Sequence, residues 1–180
     1  MRRTAADAAR TRSALLDAAL LVFAETGVAN ARLADIATRA GATRGAVYHH
    51  FEDKAALHAA VLNECWDTLT VEVWAELESE GLAAFLIAWL RLLREDERFR
   101  ALLTITMSGR DPMPPGADEV SAKAWGLDDW LARLTPVAGE NATHLLSWLC
   151  GTAMVATAAP GLLPPADADG VAPLLRGMLG

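Results

Sequence analysis

The stretch ADIATRAGATRGAVYHHFEDKAAL, from Ala34 to Leu57, holds two clipped helical patterns on either side of Ala40-Gly41-Ala42. Ile36 and Ala37, with Leu33 and Ala40 beside them, form one short apolar stripe, which predicts a helix over about 33–40. Gly41 breaks it. Thr43 has the side chain to cap a very short third helix, about 44–50, and Asp53 to cap a fourth running to about Ser79. Two short helices joined by a tight glycine turn form a helix-turn-helix, the motif that lays its second helix in the DNA major groove.

The chemistry of that second helix, TRGAVYHHF, fits the task. Arg44 can make two hydrogen bonds to guanine, while Gly45 and Ala46 are small enough for close approach to base edges, Ala46 meeting a thymine methyl. Tyr48, His49 and Lys54 stand at the rim, where polar groups hold phosphate oxygens and set register without reading sequence. Val47 and Phe51 are expected to point inward. Taken singly, Tyr48 also fits ordinary half-buried packing and His50 a solvated rim. With Arg32 and Thr43 added, the candidate DNA-contacting set is Arg32, Thr43, Arg44, Gly45, Ala46, Tyr48, His49 and Lys54.

Upstream, a first helix is expected over about 5–26, with Leu15, Ala18, Ala19, Val22 and Phe23 as its stripe and Gly27 as its stop. The net charge of −7 conceals an asymmetry: residues 1–54 carry eight Arg/Lys against six Asp/Glu, a net of +2, and residues 55–180 a net of −9. A mildly basic head on an acidic body allows the head to approach phosphate while the body is repelled. Ala and Leu dominate, and strand alternation is absent, so an all-α fold is expected. Cys65 and Cys150 form no CxxC pair and read as reduced core thiols. The N-terminus MRRTAADAARTR has no apolar signal region, and a cytoplasmic protein is the expectation.

From about Arg12 to Leu57 the chain resembles the N-terminal domain of the TetR family of transcriptional regulators. The residues that carry the likeness are Leu15, Leu16, Ala18, Ala19, Phe23 and Gly27, then Asp35-Ile36-Ala37, Ala40-Gly41, Thr43-Arg44-Gly45, Tyr48, His50-Phe51, Lys54 and Leu57. The run TRGAVYHHF is similar to the multidrug-efflux repressors of that family. The resemblance implies a three-helix DNA-binding domain (residues 1–53) and a larger helical domain (54–180) that binds ligand and dimerises. Members of the family usually carry Ser/Thr where this chain has Ala31-Arg32. Asn30 is then the best remaining cap for the second helix, and Arg32 a charged substitute for the lost phosphate contact.

In the body, Leu62, Trp66, Leu69, Val73 and Leu77 mark a core stripe on helix four. Helices over about 82–94 and 97–108 follow, then the proline-rich SGRDPMPPGADE as a candidate flap, then a helix over about 118–134 with Val120, Ala124, Leu127, Leu131 and Leu134. Trp125 projects from another side. From Leu145 to Leu163 the chain is apolar all round. Nineteen residues could just span a bilayer, but Pro160, Gly161, Ser147, Thr152, Thr157 and the lack of basic flanks favour a helix buried on both faces, one against a second subunit. Leu145, Leu149, Thr152, Ala153 and Ala156 are its expected interface residues, with the tail around Leu174, Leu175 and Leu179 as a second interface helix.

Six tryptophans are many for this length, and Trp66, Trp89, Trp130 and Trp148 fall on four expected helices. Single aromatics are usually core; their concentration points to an apolar pocket, with Phe85 and Met107 completing the candidate set. Glu72, Glu76 or Asp129 would meet a cation only if turned inward. Catalysis finds no support, since Met107-Ser108-Gly109 lacks a nucleophile elbow and no histidine stands near it. Neither His49-His50 nor the isolated His58 and His144 forms a metal site, and no cofactor cradle exists. The expected function is a homodimeric repressor on an inverted-repeat double-stranded operator, released by a small apolar or aromatic effector. The alternatives are a dimeric regulator without small-molecule ligand and, far behind, an enzyme or membrane protein carrying a helix-turn-helix.

Overall fold

A computed structural model describes residues 5–107 and 127–179, with side chains to Gly177. The described residues are all-helical, with α1 Ala5–Thr26, α2 Leu33–Arg39, α3 Arg44–His50, α4 Lys54–Ser79, α5 Leu82–Glu95 and α6 Glu97–Met107. They continue as α7 Leu127–Ala138, α8 Ala142–Ala158 and α9 Ala168–Leu179, with short 3-10 turns at Gly139–Asn141 and Pro160–Leu162. The flap SGRDPMPPGADE, the start of the 118–134 helix with Val120 and Ala124, and Trp125 lie outside the described residues.

The first four helices begin and end where local chemistry directs. Gly41 takes a left-handed φ of 63°. That lets Ala42 N–H reach Ala37 O at 2.8 Å and Gly41 N–H reach Thr38 O at 3.1 Å, so the last carbonyls of α2 are satisfied. Thr43 and Asp53 cap α3 and α4 by accepting from Ala46 N–H and Ala56 N–H, at 3.2 and 2.7 Å. Asn30 does not cap α2. Its amide donates to Thr26 O at 3.1 Å and so closes the end of α1, leaving Arg32 at the N-cap of α2 with no side-chain bond.

α1 links the two short helices that follow it to α4 and α6. Leu15, Ala19, Leu20 and Phe23 are fully or almost fully buried against α2, α3, α4 and α6. Burying each of the two leucines and the phenylalanine contributes about 1.5–3 kcal/mol. On α4 the buried row is Leu57, Val61, Cys65, Leu69, Val73 and Leu77, with Thr70 and Trp74 beside it, whereas Leu62 and Trp66 are only half-buried. The core face is thus turned from the expected stripe. Ion pairs on the flank of α1 join Arg12 to Glu64 and Asp17 to Arg98.

α8 overturns the expected choice of interface residues. Leu145, Leu149, Thr152, Ala153 and Ala156 are all buried within their own chain, because the i, i+4 row they form packs onto α5, α6 and α7. They are not available to a second subunit. The opposite face, with Ser147, Gly151, Met154 and Ala158, is exposed in the single chain; Met154 is 63% exposed and nearby Leu162 78%. Arg94 of α5 pins the segment that follows by donating to Leu163 O at 2.6 Å and Pro164 O at 3.1 Å. Among the described residues, no helix is long and apolar enough to cross a membrane.

Candidate functional site

The helix-turn-helix presents a narrow polar face. On α3, Val47 is fully buried and Ala46 nearly so, and Phe51 closes the end of the helix from within. Thr43, Arg44, Gly45, Tyr48 and His49 are exposed. Ala46 therefore drops out of the base-facing set: a seven-residue helix must give one side to the core, and that side includes Ala46. Gly45 leaves open space, since an added Cβ would meet only Thr43 Oγ1 at 3.8 Å. Arg44 donates to the Tyr48 hydroxyl at 3.3 Å, a bond that holds its guanidinium pKa above the ordinary value, and lies over the ring at 5.7 Å. Arg32 is exposed at the start of α2.

Lys54 has a different place from the expected rim. Its ammonium donates to Ala29 O at 2.7 Å and Ala31 O at 3.2 Å, tying the start of α4 to the loop between α1 and α2. Arg12, 5.2 Å from the centre of the Phe51 ring, braces the end of α3 against α1.

The body holds an aromatic cluster with Trp130 as its hub. Its ring meets Trp66 at 5.9 Å, Trp89 at 5.5 Å and Trp74 at 4.9 Å, each close to perpendicular, and Phe99 bridges Trp66 and Trp89. Such edge-to-face contacts set the positive ring edge on the negative face. A cavity of about 20 Å³ lies against Trp66, Trp89, Trp130, Leu103, Leu149, Cys150 and neighbours. That is room for about one water, far below the ~300 Å³ of a drug-sized site.

Of the expected pocket residues, Trp66, Trp89 and Trp130 meet there. Phe85 does not: it is fully buried against Trp74, 5.1 Å away, and backs the cluster. Met107 and Trp148 pack half-buried at the core edge without lining the cavity. Sequence reasoning missed Trp74 and Phe99, and also the role of Thr152, which accepts from Trp89 Nε1 at 2.9 Å. Trp66 Nε1 is buried without an acceptor among the described residues. Arg133 lies 3.9 Å from the centre of the Trp74 ring.

Glu72 and Glu76 line another space altogether, an open groove of about 560 Å³ floored by Leu69, Val73, Ala88 and Leu92, and Asp129 is exposed. None of the three turns toward the aromatic cavity. Burial pushes the Cys65 thiol up to about 11 and raises Cys150 too, so both are protonated at neutral pH. No group of three potential metal ligands occurs among the described residues.

Residues 15–61 match the family described as bacterial regulatory proteins, tetR family. The chain is 38% identical over 112 residues to the HTH-type transcriptional repressor BepR of Brucella suis, covering 58% of this chain and 53% of that one. It is 42% identical over 94 residues to the HTH-type transcriptional regulator AcrR of Shigella flexneri, covering 52% and 41%. The chain thus spans about half the length of these curated relatives. Among solved structures it is similar to NalD of Pseudomonas aeruginosa, the secondary repressor of the MexAB-OprM multidrug efflux pump, with a TM-score of 0.71, 25% identity and 96% of each chain covered. It is similar also to SmeT of Stenotrophomonas maltophilia in complex with triclosan, with a TM-score of 0.69, 27% identity and 93% and 90% covered.

Proposed function

We propose that the chain, whose residues 15–61 match the tetR family of bacterial regulatory proteins, is a dimeric transcriptional repressor released from its operator by a small aromatic effector. The observation that carries the DNA-binding half is the exposed face of α3. Arg44, Gly45, Tyr48 and His49 are exposed while the same helix is capped, braced and anchored on its other side. Arg44 reads a guanine; Thr43, Tyr48, His49 and Arg32 contact phosphates. One two-turn helix covers too few base pairs for specificity, so two copies bind an inverted repeat. The exposed Ser147, Gly151, Met154 and Ala158 face of α8, together with α9, forms the contact between copies, its small residues permitting close approach.

The effector enters among Trp66, Trp89 and Trp130. Among the described residues no charged side chain lines that cavity, and Arg133 already occupies the Trp74 face, which favours a neutral guest over a cation. Trp66 Nε1 would donate to an ether or carbonyl oxygen of the guest. SmeT, a structural relative, holds triclosan, a compound of this class. To release DNA the effector must bind the DNA-incompetent arrangement more tightly. The small volume of the cavity favours one other reading, a regulator with no small-molecule ligand.

Selection of bound fragments from the source genome identifies the operator. Titration of the repressor–operator complex with triclosan and related neutral diaryl compounds then separates the two readings. Quenching of tryptophan together with loss of operator supports the effector reading. If every compound leaves operator affinity unchanged, the ligand-free regulator stands; if no duplex is selected, the repressor assignment fails.

A further inference from the structure

α1 is gripped by two ion pairs of opposite polarity, one from each of two helices that bear a ring of the aromatic cluster. Arg12 of α1 meets both carboxylate oxygens of Glu64 on α4, and Asp17 of α1 meets Arg98 on α6. Each grip sits beside one of those rings: Glu64 lies two residues before Trp66, and Arg98 immediately precedes Phe99. The Trp66 and Phe99 rings meet edge to face at 5.6 Å. Trp66 lines the cavity and Phe99 packs behind it on Trp89. Cys65, buried between the grips, feels the charges of Arg98, Asp17 and Glu64 together.

The four side chains are 37–44% exposed, so the pairs contribute little to stability. Their effect is geometric. α1 is tied to α4 by a cation and to α6 by an anion, and it packs directly on α2 and α3. We propose that the Asp17–Arg98 and Arg12–Glu64 pairs are positioning residues that carry separation of Trp66 from Phe99 to α1, and through α1 to the reading head. A guest seated among Trp66, Trp89 and Trp130 that pushes the Trp66 ring off Phe99 moves α4 away from α6. Tied to both, α1 must tilt or release one partner, and either changes how α2 and α3 are presented. This inference rests on the effector-released DNA binding proposed above and adds its route.

The route can be tested without an effector, because coupling between two sites is reciprocal. All six tryptophans lie after residue 57 and none in the reading head, so tryptophan emission reports on the body alone. The genome-selected duplex, carrying a fluorescein label, is titrated into full-length wild type, Asp17→Asn, Arg98→Gln and the swapped double variant Asp17→Arg with Arg98→Asp. Anisotropy follows binding and tryptophan emission follows the body. The expected result is operator affinity within about threefold in every case, with the emission change on binding cut to about half or less in the single variants and recovered in the swap. With triclosan present, the single variants should lose most of the roughly 5–150-fold shift in operator affinity typical of such coupling.

Single variants that bind operator and keep the full emission change overturn the route while leaving the repressor reading intact. The route is equally overturned if the swapped variant binds operator but its emission change is no larger than that of the single variants. Absence of operator binding by the wild type sinks the repressor reading and this inference with it. Should a single variant unfold, Glu64→Gln at the other grip carries the same expectations.

Discussion

The indole N–H of Trp89 donates to the hydroxyl of Thr152 at 2.9 Å, in a place where both side chains are buried. This bond joins the wall of the aromatic cavity on α5 to the helix whose outer face is proposed to meet a second copy. It also explains why a threonine sits in the buried row of an otherwise apolar α8: the Trp89 donor needs an acceptor, and the hydroxyl proton is in turn satisfied by carbonyls one turn back.

Thr152→Val keeps the volume and removes the acceptor. A buried N–H left without a partner costs about 1–3 kcal/mol. Urea denaturation should show that loss with an unchanged slope, and a variant as stable as the wild type would show that the bond contributes nothing.

Arg44→Ala should relax preference at one base pair in each half-site by roughly 1–3 kcal/mol and leave binding to random DNA nearly unchanged. Equal weakening on specific and random duplexes would remove Arg44 from base reading. Lys54→Ala should weaken every duplex alike. Because its ammonium is engaged by Ala29 O and Ala31 O, the slope of log affinity against log salt should stay nearly constant. A slope reduced by about one unit would instead reveal a direct phosphate contact.

The two faces of α8 should respond in opposite ways to arginine. Gly151→Arg or Met154→Arg places the charge on the exposed face and should give folded monomers that hold the inverted repeat weakly. Ala156→Arg buries an unpaired charge and should unfold the chain. Sedimentation with circular dichroism separates the outcomes; a Gly151→Arg dimer on unchanged operator affinity would move the interface elsewhere.

Burial holds the proton on Cys65, with its pKa pushed up to about 11 from an ordinary 9.0. A folded-state value above the unfolded one means that this stabilisation is complete below about pH 9. It is then lost progressively as pH rises toward 11. Stability measured across that range should fall, and Cys65→Ala should flatten the fall whatever its effect on absolute stability. An identical slope in both proteins would show that the thiol is not what titrates.

The boundaries of α1 to α4 were legible in the sequence because they depend on local chemistry. Gly27, Gly41, Thr43 and Asp53 act within a few residues of themselves. Orientation was harder to read. On the 26-residue α4, steps of three and four fit more than one helical phase, and the phase that hides Trp74 follows from packing on α5. α8 is apolar all round, so nothing in its pattern says whether the Leu145–Leu149–Ala153–Ala156 row or the Ser147–Gly151–Met154–Ala158 row turns inward. The partners of Lys54 lie 23 and 25 residues away, beyond the reach of any periodicity. The family resemblance supplied the dimer as an expectation and the concentration of tryptophans pointed to Trp66, Trp89 and Trp130, while Trp74, Phe99 and Thr152 emerged only from the three-dimensional packing.

The cavity among Trp66, Trp89 and Trp130 has room for about one water, and that limits how affinity for a guest can be tuned. On the effector reading proposed above, a guest must await a wider form of this cavity, and its apparent dissociation constant is the intrinsic one divided by the fraction of molecules that are open. If one molecule in about a hundred is open, binding is weakened about a hundredfold, whatever the contacts inside. Any substitution that thins the Trp130 hub, Trp130→Leu for example, would raise that fraction. It could tighten binding while removing contacts, a gain of sensitivity obtained by loosening the receptor.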